Sequence, residues 1–162
     1  MNFDFTEEQV MLRESITRFI QEDYKFDVRR RIFKSPSGID KEVWKTFAQL
    51  GWLSVPFPEN SGGFGGGPVD VSVLMEEFGK GLVLEPYLPT VLLFGGLINS
   101  AGNERQRSDL LPKIIEGDLL GAFWMTSFGK PVRQKKGDGK TWRLLKRSFD
   151  CWCCFYYRHT WN

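Results

Sequence analysis

Cysteine is absent from the first 150 of the 162 residues; Cys151, Cys153 and Cys154 crowd into one short stretch near the end. That distribution excludes a disulfide framework, because neighbouring cysteines rarely meet disulfide geometry together, and it fits a reducing, cytoplasmic location. No basic segment followed by an apolar one opens the chain, so no secretory leader is read. No apolar run approaches the ~18 residues of a membrane span, so no membrane partner is expected. A P-loop is missing too, since no glycine is followed, after four intervening residues, by Gly-Lys-Ser/Thr. The dinucleotide fingerprint also fails: "VPF" is a poor strand, and Pro68 separates the glycines from the next helix.

What is present falls into two parts. The length allows one domain with a real core, or one domain and a tail. Residues 1–128 hold 13 Lys/Arg against 18 Asp/Glu, whereas residues 129–162 hold 9 against 2. The formal net charge of +2 therefore averages an acidic body and a basic end. Asymmetry of this kind points to segments of different origin or role.

The body reads as a series of amphipathic helices. Thr6 before "EEQ" can cap a first helix while Gln9 reaches back, with Phe5 and Val10 placed for a hydrophobic staple and Ile16, Phe19 and Ile20 on the inner stripe. This helix is expected to end between Gln21 and Phe26. Val28–Phe33, "VRRRIF", reads as a solvated or salt-bridged face rather than an anion site, given Asp23 and Asp27 nearby. Ser35 to Gly38 is a loop by turn chemistry.

Asp40 is expected to cap a second helix with Val43, Phe47 and Leu50 inward and Trp44 broadening the stripe, closed by Gly51. Gly62, Gly63, Gly65, Gly66 and Gly67 then form a loop suited either to a wall of a ligand site or to a tight inter-helix turn. A third helix is expected from about Asp70 towards Leu82, with Val69, Val73, Leu74, Phe78 and Leu82 inward and Gly79 and Gly81 ending it. Glu76 and Glu77 resemble paired acid–base carboxylates. Adjacent helical residues point about 100° apart, so at least one is read as a solvated charge.

"LVLEPYLP" reads as extended or turn. Thr90 should cap a buried fourth helix in which Gly95 and Gly96 imply close helix approach. A fifth helix is expected over Glu104–Ile115, kinked at Pro112. "LLGAFWMTSF" reads as the first convincing strand. The expected organisation is thus mainly α: a helical domain over 1–118, a first strand of a β-domain over 119–128, and a basic, aromatic-rich tail over 129–162.

The stretches "FDFTEEQVMLRESITRFI", "VWKTFAQLGWLSVPFPENSGGFGGG", "VLMEEFGKGLVLEPYL" and "KIIEGDLLGAF" together resemble the N-terminal half of an acyl-CoA dehydrogenase. The resemblance runs from Asn2 to about Phe123. "GGGP" and "EEFGKGLVLEPYL" are similar to the bacterial pimeloyl-CoA dehydrogenase small-subunit branch in particular. It implies an FAD-dependent oxidoreductase of fatty acid metabolism that acts on a CH–CH bond of an acyl-CoA, in homo- or hetero-oligomers of dehydrogenase subunits. FAD would lie between a middle β-domain and a C-terminal bundle, and the N-terminal helices would help wall the acyl pocket.

Laid on the family's flavin-contacting strand, Phe123, Met125 and Thr126 are the candidate cofactor-binding residues, with Thr126 hydrogen-bonding near the flavin. Ser127 and Phe128 stand where the family has Glu-Pro. The family's catalytic glutamate comes from the C-terminal half, so no catalytic residue is assigned here. The implied reading is a dehydrogenase fragment, inactive alone. The alternative is a non-catalytic helical module docking on a full-length dehydrogenase.

From about Trp124 the resemblance fades. Four of the six tryptophans fall after residue 123, and "DCWCCFYYRHTWN" reads as translation in a shifted frame or as a divergent tail. Its basic and aromatic residues could in principle stack on single-stranded nucleic acid, but no nucleic-acid-binding fold surrounds them, and no such partner is expected. Cys151, Cys153, Cys154 and His159 lack the separated Cys-x2-Cys knuckles of a zinc site, so no metal is assigned.

Overall fold

Thr6 opens α1 (Glu7–Glu22) as the spacing predicts. Its hydroxyl accepts the Gln9 backbone N–H, and the Gln9 side chain accepts the Thr6 N–H in return. The computed structural model describes residues 4–124, 141–146 and 153–158, with side chains for 4–122. It continues through α2 (Phe26–Lys34), α3 (Lys41–Gln49), short 3-10 turns at Trp52–Ser54 and Glu59–Ser61, and α4 (Pro68–Gly81). A π-helical segment (Leu88–Gly95) runs into α5 (Gly96–Ala101), and α6 (Glu104–Ile115) follows. Three strands, β1 (Leu120–Trp124), β2 (Thr141–Lys146) and β3 (Cys153–Arg158), form an antiparallel sheet in the order β1-β3-β2. Phe123 pairs with Cys154, and Leu145 pairs with the same residue from the other side.

The chain divides into two compact units, Met1–Glu85 and Pro86–Asn162. In the first, Phe19, Trp44, Phe47, Trp52 and Phe78 bury their rings together. Phe47 lies 5.6 Å from Phe19, 5.1 Å from Trp52 and 5.1 Å from Phe78, centroid to centroid. In the second, Val91, Phe94, Ile98, Leu110, Leu111 and Ile114 are buried.

Several expectations are corrected. The "VRRRIF" run, for which no element is predicted, lies in a helix, α2; Arg30 and Arg31 are exposed and Arg31 pairs with Asp40, as a solvated or salt-bridged face requires, while only Ile32 is turned fully inward and Phe26 and Phe33 are left exposed. In α3, Trp44 and Phe47 are buried and Leu50, at the C-cap, is exposed. The third predicted helix starts at Pro68, whose missing N–H costs nothing in a first turn. Its end residues Val69 and Leu82 are exposed, while Val73, Leu74 and Phe78 point inward. The left-handed residue that ends α4 is Leu82 (φ 48°), one step beyond the expected glycines. Thr90 caps nothing: it sits inside the π-helical segment, its N–H donating to the Pro86 carbonyl. Gly96 faces open space and supports no close helix approach.

α1 and α4 run in the same direction, since Gln9 meets Asp70 and Thr17 meets Glu77. Glu76 is half exposed, whereas Glu77 is buried and held by Lys80 at 2.6 Å, by Arg13 at 3.6 Å and by the Thr17 hydroxyl. The starts of the two helices are tied by one bond. Asp70 Oδ2 accepts the Gly67 N–H at 2.6 Å, the reach-back half of a capping box, while Asp70 Oδ1 accepts from Gln9 Nε2 at 3.0 Å.

Gln and Glu serve a capping box equally well in general, but here a carboxylate at position 9 would oppose Asp70. Gln9→Glu is expected to cost about 1 kcal/mol at neutral pH, measured by urea denaturation. Stability equal to wild type at neutral pH would refute the cross-helix role of Gln9.

Candidate functional site

The glycine loop folds back on the turn that precedes it. Phe64, Gly65 and Gly66 donate their N–H groups to the carbonyls of Ser54, Phe57 and Val55. A Cβ on Gly63 would lie 2.0 Å from the Phe57 carbonyl oxygen, so only glycine fits there. Of the two readings of the loop, the tight turn accounts for this residue without a ligand.

A buried polar pair closes the first unit. Tyr24, 2% exposed, donates its hydroxyl to Glu85 Oε2 at 2.7 Å and accepts the Leu84 N–H at 3.1 Å. Glu85 is 5% exposed, and its Oε1 has no hydrogen-bond partner among the described residues. Burial pushes the Glu85 carboxyl above its ordinary range. The Tyr24 hydrogen bond and the backbone groups of Glu85 and Asp40 offset this in part, and the Asp40 charge adds to the rise. Burial likewise raises Tyr24, so its hydroxyl stays a phenol that can donate. The pair pins the segment after Leu82, whose left-handed backbone is costly for a side-chain-bearing residue.

In the second unit the π-helical segment supports β1. Thr90, fully buried, donates its hydroxyl to the Gly121 carbonyl at 3.0 Å. A Cβ on Gly121 would lie 2.1 Å from the Phe94 ring, so the strand approaches the helix closely only because that residue is glycine. The sequence-predicted residues lie just beyond this anchor. Phe123 is in β1; Met125 and Thr126 lie outside the described residues. Cys153 and Cys154 fall in β3, and Cys151 and His159 lie outside. Among the described residues no group of three metal-ligating side chains occurs, and no helix is long and apolar enough to cross a membrane.

Residues 6–118 match the family model for the acyl-CoA dehydrogenase N-terminal domain. The chain belongs to the acyl-CoA dehydrogenase family. It is 30% identical over 134 residues to a probable acyl-CoA dehydrogenase of Bacillus subtilis, covering 78% of this chain and 33% of that protein. An acyl-CoA dehydrogenase of Mycolicibacterium smegmatis is 32% identical over 117 residues, with 72% and 36% covered. The chain thus spans about a third of the length of these curated relatives. Among solved structures, the butyryl-CoA dehydrogenase of Megasphaera elsdenii superposes with a TM-score of 0.61 at 26% identity, covering 74% of this chain and 32% of that one. The ChsE4–ChsE5 complex of Mycobacterium tuberculosis gives 0.72 at 23% identity, with 89% and 41% covered, which shows the shared fold.

The supporting residues of this dehydrogenase-family domain were not singled out from its sequence. In the sequence Thr90 has the look of a helix cap. Tyr24 and Glu85 stand 61 positions apart. The one available signal was Glu85 itself, a lone charge in the apolar run "LVLEPYLP".

Because the folded-state pKa of Glu85 is raised, its contribution to stability is fully present below the ordinary carboxylate value of about 4.3 and is lost as pH rises through the raised value. Glu85→Gln removes this titration. The melting temperature of Glu85→Gln relative to wild type should therefore climb between acid and neutral pH, and a difference that stays flat would contradict the assignment. Tyr24→Phe strands the Leu84 N–H and Glu85 Oε2, and should cost about 1–3 kcal/mol in urea denaturation.

Proposed function

We propose that this chain supplies the N-terminal helical domain of a flavin-dependent acyl-CoA dehydrogenase, an oxidoreductase acting on the CH–CH bond next to an acyl-CoA thioester. The observation that carries the reading is the family match over residues 6–118, which ends just before β1. In this reading the helices wall the acyl chain and keep water from it, and β1 begins the β-domain that faces the cofactor. Phe123, Met125 and Thr126 are its flavin-contacting residues. FAD, when bound, supplies the chemistry of accepting a hydride from the substrate β-carbon.

The described residues match the support of such a site and not the part that would hold a dinucleotide. Thr90 and Phe94 back the strand, the Arg107 guanidinium donates to the Gly102 carbonyl, and Lys113 pairs with Asp109. In this reading the proton-abstracting glutamate comes from another part of the complete enzyme. The chain by itself is inactive in this reading, works in a reducing, aqueous compartment, and joins dehydrogenase subunits. A second reading, a module docking on a full-length dehydrogenase, draws support from the ChsE4–ChsE5 neighbour, which is a complex of two differently named chains.

The test is to purify the chain, record flavin absorbance, and assay acyl-CoA-dependent reduction of an electron acceptor. The assay is then repeated after adding a family dehydrogenase stripped of its own helical domain. The chain alone should be colourless and inactive, and the mixture should regain turnover. Turnover by the chain alone would refute its inactivity. A mixture that neither associates nor turns over would refute the domain assignment. Binding to an intact dehydrogenase without rescue of the stripped one would favour the docking module.

A further inference from the structure

The exposed face of α2 and a groove elsewhere in the first unit carry opposite charge beside apolar surface. Phe26 and Phe33 are seven residues apart, so they lie on one side of α2 about 10 Å from each other. Their exposures are 63% and 76%, far above those expected of a helix's core-facing rings. Arg30 and Lys34, both exposed, flank them. Phe26 is held in place: the Arg29 guanidinium lies 5.1 Å from its ring centroid and donates to the Gly81 carbonyl at 3.2 Å. An aromatic ring fixed in advance loses little freedom on binding.

Between α1 and α3 runs an open groove of about 460 Å³. Met11 and Leu50, both exposed, and the buried Phe19 give it an apolar lining, and Glu14, Glu22 and Asp23 give it an acidic rim against the single cation Arg18. From Met11 to Glu22 it follows about 16 Å of α1, enough for the spacing of the two rings.

We propose that the Phe26/Phe33 face of α2 docks in the α1–α3 groove of a second copy of this chain. The rings cover Met11 and Leu50, and Arg30 and Lys34 meet Glu14, Glu22 and Asp23. This surface involves neither β1 nor the residues assigned to the flavin.

Sedimentation velocity of the full chain across concentration and salt tests it. The average mass should rise with concentration and fall with added salt, as exposed charge pairs are screened. Phe26→Ser/Phe33→Ser should weaken association at least about tenfold while leaving the far-ultraviolet circular dichroism unchanged. The chain carrying Arg30→Glu/Lys34→Glu and the chain carrying Glu14→Lys/Glu22→Lys should each associate poorly, and their mixture should associate again. A wild-type chain that stays monomeric at all concentrations would overturn the proposal. So would association untouched by the phenylalanine changes, or a charge-swapped mixture that stays apart.

Discussion

The ring of Phe47 is the point on which the first unit depends. It is fully buried and makes ring contacts with Phe19 from α1, Trp44 from its own helix, Trp52 from the turn after α3, and Phe78 from α4. Three helices and a turn therefore meet at one side chain. Close-packed rings of this kind contribute area burial and edge-to-face attraction together, and they specify one arrangement because neighbouring rings cannot shift singly. The polar ties (Gln9 to Asp70, and Arg13, Thr17 and Lys80 to Glu77) then fix the register of α1 against α4 around that cluster.

Connections are set by close backbone approach. The loop after Trp52 turns back on Ser54–Phe57 through three backbone hydrogen bonds and needs glycine at Gly63. In the second unit, Gly121 lets β1 lie against Phe94 while Thr90 holds its carbonyl. Both devices set the main chain in place through the chain's own packing and hydrogen bonds.

What the sequence disclosed was what depends on near neighbours. The Thr6–Gln9 box, the helix starts at Asp40 and about Glu104, and the solvated charge of at least one of Glu76 and Glu77 follow from spacing alone. α2 escaped because one inward residue, Ile32, makes no stripe, while its two phenylalanines imitate core positions from the outside. Leu50, Val69 and Leu82 share the core's spacing but sit where helices end, beyond the packed stripe. The Tyr24–Glu85 pair could not be seen in a linear reading, since only the fold brings the two together. Of the candidate flavin residues, Phe123 is in the strand that the pattern indicated, and Met125 and Thr126 lie outside the described residues.

The most direct measurement of this account is the stability of Phe47→Ala in urea, set against Phe33→Ala. If the first unit is built on the Phe47 cluster, removing that ring should cost about 3–5 kcal/mol, while removing the exposed Phe33 ring should cost less than about 0.5 kcal/mol in the monomer. Equal, small losses for the two would contradict the central claim, because they would mean that the packing of the helices does not run through Phe47.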